Sequence, residues 1–95
     1  MTPNMPIDFT KVEALRKHMM LTTSDMASLF GVSRMTYYGW VRGKVIRKAN
    51  DGTVRTVLKQ LLSIMVDDKW PTPAVIAMEQ KQRKERLDEL MKRFN

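Results

Sequence analysis

Between residues 44 and 59 the chain sets Lys44, Arg47, Lys48, Arg55 and Lys59 against a single acid, Asp51. Ammonium and guanidinium groups at that density need no cofactor to do their chemistry, which is to neutralise a polyanion. The whole chain agrees, with 17 Lys and Arg against 10 Asp and Glu, a formal net charge of +7 and a pI near 10.1. Nucleic acid is the first partner this implies and anionic lipid the second. A solvated basic loop is the competing explanation of residues 44–59, and the residues before the stretch must arbitrate.

Catalytic chemistry has little to build on. The 95 residues hold no Cys and one His, which removes disulfides, thiol nucleophiles, Cys-based zinc sites and any second imidazole for a metal. His18 sits beside Lys17 with no Asp or Glu three or four residues on, so it reads as a solvated helix histidine. Asp67 and Asp68 look like linker residues, and the nine Met suit adaptable packing better than a copper or haem site. The expectation is a protein that is no enzyme and takes no metal, cofactor or small-molecule substrate. No apolar run approaches the ~18 residues of a membrane span. The opening "MTPNMPIDF" has neither the basic nor the apolar region of a signal peptide, so a cytoplasmic chain without membrane contact is expected.

The elements that must position the cations read as helices throughout. Thr10 and Glu13 have capping-box spacing at the head of helix one, residues 10–20, with Phe9, Val12, Leu15 and Met19 at near-helical intervals. Thr22 and Asp25 repeat the box before helix two, 23–30, which Gly31 ends. Ser33 is a natural N-cap for helix three, 34–42, closed by Gly43. "ANDGT" reads as a turn. Helix four, 54–65, then carries the apolar stripe Val54, Val57, Leu58, Leu61, Leu62 and Met65.

The prolines of "DDKWPTP" mark a hinge at 67–73, and from 74 to 95 the chain reads as one long charged helix. Glu79 with Arg83, Asp88 with Lys92 and Glu89 with Arg93 would support it as i,i+4 pairs. Its far end is apolar at Leu87, Leu90, Met91 and Phe94, which would serve a homodimer; docking onto the chain's own core is the alternative. The organisation predicted is an all-α fold with a compact four-helix domain at 1–66, a linker at 67–73 and a C-terminal helix at 74–95.

Helices two and three, joined by about three residues around a glycine, have the spacing of a helix-turn-helix. Met26, Phe30, Val32, Tyr37 and Trp40 would fill the wedge between them, Ala27 must be small where they cross, and Gly31 takes a positive φ in the turn.

On these residues, "LRKHMMLTTSDMASLFGVSRMTYYGWVRGK" resembles the helix-turn-helix region of the Cro and phage-repressor-like (XRE) transcription factors, closely over residues 15–44 and roughly over 9–66. The resemblance implies a lambda-repressor-like domain whose third helix enters the major groove of double-stranded DNA. Arg34 and Met35 would lie at its tip, with Arg34 bidentate on guanine O6 and N7 and with Met35 and the Thr36 methyl against thymine methyls. Tyr38 could meet a base or a phosphate. Arg42 and Lys44 match positions that contact phosphate, Arg47 and Lys48 would extend that flank, and Thr22, Thr23, Ser24 and Ser33 stand where helix starts can hold phosphates.

Two positions depart from the family. Thr23 replaces the common Gln at the start of helix two. Gly39 replaces a long base-reading side chain, at a helix cost of about 0.5–1 kcal/mol. A regulator of this kind implies a two-fold dimer on a palindrome. A DNA-packaging (small terminase-like) or recombination accessory protein, oligomerising through its C-terminal helix, is the second class.

Overall fold

The computed structural model describes residues 5–95. Six α-helices follow one another: α1 (Phe9–His18), α2 (Thr23–Phe30), α3 (Arg34–Val41), α4 (Lys48–Asp67), α5 (Pro73–Ala77) and α6 (Gln80–Met91), with a closing 3-10 turn at Lys92–Phe94. Among the described residues there is no strand, and no helix is long and apolar enough to cross a membrane.

The short helices are set by their ends. α2 carries a full capping box: Thr22 Oγ1 accepts from the Asp25 amide and Asp25 Oδ2 from the Thr22 amide, both at 3.0 Å. Gly31 closes it at φ 72°, and the Val32 amide reaches back to the Ala27 carbonyl at 3.0 Å. α3 starts on Ser33, whose Oγ accepts from the Thr36 amide at 3.1 Å. At the end of α1, Met20 takes the left-handed conformation (φ 62°) while the Leu21 amide donates to the Arg16 carbonyl at 3.0 Å.

Several expectations need correction. α1 is capped by Asp8, whose Oδ1 accepts from the Thr10 amide at 3.0 Å, because Glu13 is drawn inward to Arg16 and Tyr37. α4 begins at Lys48, so "ANDGT" is helical. Asp51 lies in its first turn, where the helix dipole favours an acid, and pairs with Arg55 one turn on at 2.6 Å. Gly52 is simply exposed there.

The C-terminal segment is two helices. Met78 (ψ 154°) and Glu79 (ψ 159°) are extended, and Glu79 begins α6 in a capping box with Gln82. Arg83 makes the break affordable to the backbone by donating to the carbonyls of Val75 (3.1 Å), Ile76 (3.2 Å) and Met78 (2.7 Å), the groups a helix end leaves unpaired. It therefore does not pair with Glu79. Asp88 pairs with Lys84, Lys92 with Glu89, and Arg93 with Asp68 across to the end of α4.

One hydrophobic cluster runs through all of this, from Val12, Met19 and Leu21 through Met26, Phe30, Tyr37 and Trp40 to Leu61, Ile64, Trp70, Val75 and Leu87. The residues expected to form a linker contribute Trp70, whose indole N–H donates to the Met19 carbonyl at 2.8 Å. Leu87 has no exposed surface, and Leu90, Met91 and Phe94 pack partly buried against the same cluster. The tail that the sequence offered for dimerisation thus covers its own core. Burying a leucine is worth about 1.5–3 kcal/mol, and α6 obtains this within one chain.

Candidate nucleic-acid interface

α3 is fixed from behind by rings. Tyr37 is fully buried and Trp40 is 5% exposed. Phe9 packs edge-on against Tyr37 with centroids 6.4 Å apart and tilted against Trp40 at 5.6 Å, while Phe30 meets both at 6.0 and 6.3 Å. Met26 and Ala27 are buried beside them, Val32 partly so, and Gly31 makes the turn.

A polar link behind the helix completes the anchorage. The Tyr37 hydroxyl donates to Glu13 Oε2 at 2.5 Å, and Arg16 donates to the same carboxylate through Nε (2.7 Å) and Nη2 (3.1 Å). Arg16 Nη1 reaches the Leu21 carbonyl at 2.8 Å, so α1, α3 and the α1–α2 turn share one network. The Arg16 hydrogen bond is the largest influence holding Glu13 below the usual carboxylate range, with burial opposing it and Tyr37 assisting. Burial, then the bond to Glu13, pushes the Tyr37 phenol well above its ordinary value. The sequence pointed Tyr37 inward, but nothing local signals a carboxylate partner 24 residues away.

With one face so held, the other is open. Arg34, Met35, Thr36 and Tyr38 are exposed, Met35 to 83%. Ser33 and Thr36 are joined by their hydroxyls, Ser33 Oγ donating to Thr36 Oγ1 at 3.0 Å. The hydroxyls of Tyr38 and Thr23 lie 3.3 Å apart, which ties the exposed face of α3 to the start of α2.

The start of α2 carries a feature the spacing did not reveal. Gln80 of α6 donates from Nε2 to Asp25 Oδ2 (2.7 Å) and to the Met20 carbonyl (3.2 Å). Thr22 and Ser24 remain exposed and Thr23 partly so, but the Asp25 carboxylate places negative charge beside any phosphate that approaches these amides.

Arg34, Arg42, Lys44, Arg47 and Lys48 are all exposed. Among the described residues, the ion-paired cations are Arg16, Arg55, Lys84, Lys92 and Arg93, so Arg34, Arg42, Lys44, Arg47 and Lys48 have no carboxylate partner. Arg55 leaves the basic flank: Asp51 and the Met5 carbonyl, each 2.6 Å away, occupy it. Lys59 lines a different groove with Leu15, Leu58 and Leu62.

Beside α3 a groove brings together Met35, Thr36, Lys44, Arg47 and two residues the sequence did not flag, Asn50 and the 90% exposed Val45. An apolar loop residue carries no periodic signal that would have singled it out. Gly39, which stands where the resemblance would put a base-reading side chain, is buried. Among the described residues there is no cluster of three His, Cys, Asp or Glu side chains that could hold a metal.

No family model, curated protein or solved structure matches the chain. A functional reading therefore stands on the surface just described: an exposed helix face held rigidly from behind, and free cations at both of its ends.

Proposed function

We propose that this protein is a sequence-specific double-stranded DNA-binding transcriptional regulator, a phage-repressor-like or Cro-like helix-turn-helix protein of the cytoplasm that binds a palindromic operator as a dimer. α2 and α3 are its helix-turn-helix, and α3 is the helix that enters the major groove. The observation that carries this reading is the division of α3: Tyr37 and Trp40 are locked into the core while Arg34, Met35, Thr36 and Tyr38 stand open.

Each group then has a role its chemistry suits. Arg34, at the entering end of α3, donates two hydrogen bonds to guanine O6 and N7, and Met35 packs on a thymine methyl. Arg42, Arg47 and Lys48 hold the sugar-phosphate flanks, releasing counterions and fixing the register of the helix. The Tyr38–Thr23 hydroxyl pair braces α3 against α2 where the repressors that the sequence resembles commonly carry a Gln.

The two-fold pairing that a palindrome requires falls to a surface other than Leu87, which is buried within one chain. The packaging or recombination reading drew on a free oligomerising tail, and with α6 docked no specific observation favours it.

The test is selection of duplexes from a random pool, followed by fluorescence anisotropy at physiological salt on the selected and a scrambled duplex. Specific recognition gives a preference of ~10³ or more. Equal, salt-sensitive binding to both would overturn the reading.

A further inference from the structure

Gly39 is buried although it lies on the open side of α3, and the group that covers it is Lys44. A Cβ at position 39 would lie 3.0 Å from Lys44 Cδ, 3.7 Å from Cγ and 3.8 Å from Cβ, so the lysine stem rests along the glycine. The Lys44 amide also donates to the Gly39 carbonyl at 2.9 Å, which fixes where the stem begins. Gly39 follows Met35 by one helical turn, so the two share a ridge. On that ridge the side chain after Met35 is supplied from the loop beyond the helix.

The consequence is chemical. Lys44 lines the same groove as Met35 and Thr36, its head is exposed, and no carboxylate among the described residues pairs with it. A long cationic side chain that buries its stem and frees its ammonium is an ordinary way to project charge from a surface. Here the stem is laid against α3, whereas a phosphate-binding lysine has only to point outward from a loop.

We propose that Lys44, seated in the slot left by Gly39, is a base-reading residue that donates to the O6 and N7 acceptors of a guanine in the major groove. The proposal rests on the DNA-binding reading above and changes one part of it, since the resemblance to known repressors assigns this position to phosphate. Glycine at 39 then matters for position: a Cβ there would press on the lysine stem at 3.0 Å and make it give.

The experiment begins with the wild-type chain and a random duplex pool. Failure to select a consensus overturns the DNA-recognition reading and this inference with it, before any variant is made. Given a consensus, Lys44→Met keeps the stem and removes the charge. Base reading predicts a loss of about 10- to 100-fold on the selected duplex, a much smaller loss on a scrambled duplex, and disappearance of one guanine preference when selection is repeated. Equal losses on both duplexes, with the salt slope reduced by about one, would make Lys44 a phosphate contact and overturn the inference, as would no loss at all.

Gly39→Ala supplies the second arm. The added methyl meets the Lys44 stem at 3.0 Å from Cδ and makes it give by a few tenths of an ångström, so the variant folds, while binding to the selected duplex falls in the same direction as in Lys44→Met. In a Lys44→Met background Gly39→Ala has no further effect on binding. A loss of equal size in both backgrounds would show that Gly39 acts through something other than Lys44, and would sink the proposal.

Discussion

The hydroxyl of Tyr37 in α3 donates to Glu13 of α1 at 2.5 Å, and this bond joins the helix that faces outward to the first helix of the chain. The acceptor is ionised and partly buried, which puts the bond in the stronger class, worth about 1.5–3 kcal/mol. Tyr37→Phe should lower stability by about that amount, measured by urea denaturation at neutral pH, with the ring packing unchanged. A loss below ~0.5 kcal/mol would mean that water replaces the phenol without cost.

Glu13 also makes stability depend on pH. Its carboxyl titrates below the ordinary value in the folded chain, chiefly because Arg16 hydrogen-bonds to it. The unfolded chain therefore takes up the proton first as pH falls. The contribution is complete above the ordinary glutamate value of about 4.3 and is lost as pH drops through the lower folded value. Urea midpoints at pH 7 and pH 3 should differ less in Glu13→Gln than in the wild type; an identical difference would assign the acid sensitivity to other carboxylates.

Arg34 and Arg42 should separate two kinds of contact. Arg34→Ala is expected to reduce discrimination at one base pair by about 1–3 kcal/mol, leaving scrambled DNA nearly unaffected. Arg42→Ala is expected to weaken all duplexes alike and reduce the salt slope by about one. Anisotropy titrations over a range of salt concentrations measure both, and equal behaviour of the two variants would remove Arg34 from base reading.

Leu87 decides what the tail is for. Leu87→Ala should cost about 2–5 kcal/mol, the range for a leucine removed from a packed core, with no change in sedimenting mass. A fall in mass at unchanged stability would return Leu87 to a dimer interface.

Lys69, exposed after the end of α4, sits at φ 54°. The left-handed region costs an L-residue roughly 1–2 kcal/mol, and glycine gives back about 0.5–1 kcal/mol in chain entropy. Lys69→Gly should therefore stabilise by roughly 0.5–1 kcal/mol in thermal melts, while Lys69→Ala should not. No gain from glycine would mean that the lysine side chain contributes contacts of similar worth.

The parts of the fold legible in the sequence are those whose causes are local. Thr22 with Asp25, Ser33 with Thr36, and Gly31 act within three or four residues, so α2, its turn and α3 could be placed from spacing alone. The inward direction of Tyr37 and Trp40 followed from helical period. What escaped depends on distant partners: Glu13 looked like a cap because its Tyr37 bond spans 24 residues, and Trp70 looked like a linker residue because its Met19 acceptor lies 51 away. "ANDGT" was misread for a different reason, since Gly and Asn weigh locally for a turn while Asp51 with Arg55 weighs for a helix start. At the interface, the exposed residues of α3 are those to which the resemblance pointed, but the burial of Gly39 was not legible, because it is made by a side chain from the following loop.

Trp70, Val75 and Leu87 share one core with Met19 and Ile64, and Gln80 fastens the start of α6 to the head of α2. The C-terminal third is therefore no detachable handle. Chain of this size with a single core melts in one cooperative step, so a protease that cuts between α4 and α5 should find few openings and should leave no folded remnant. Whatever loosens α6, whether heat, truncation or a competing partner, withdraws support from α3 in the same event.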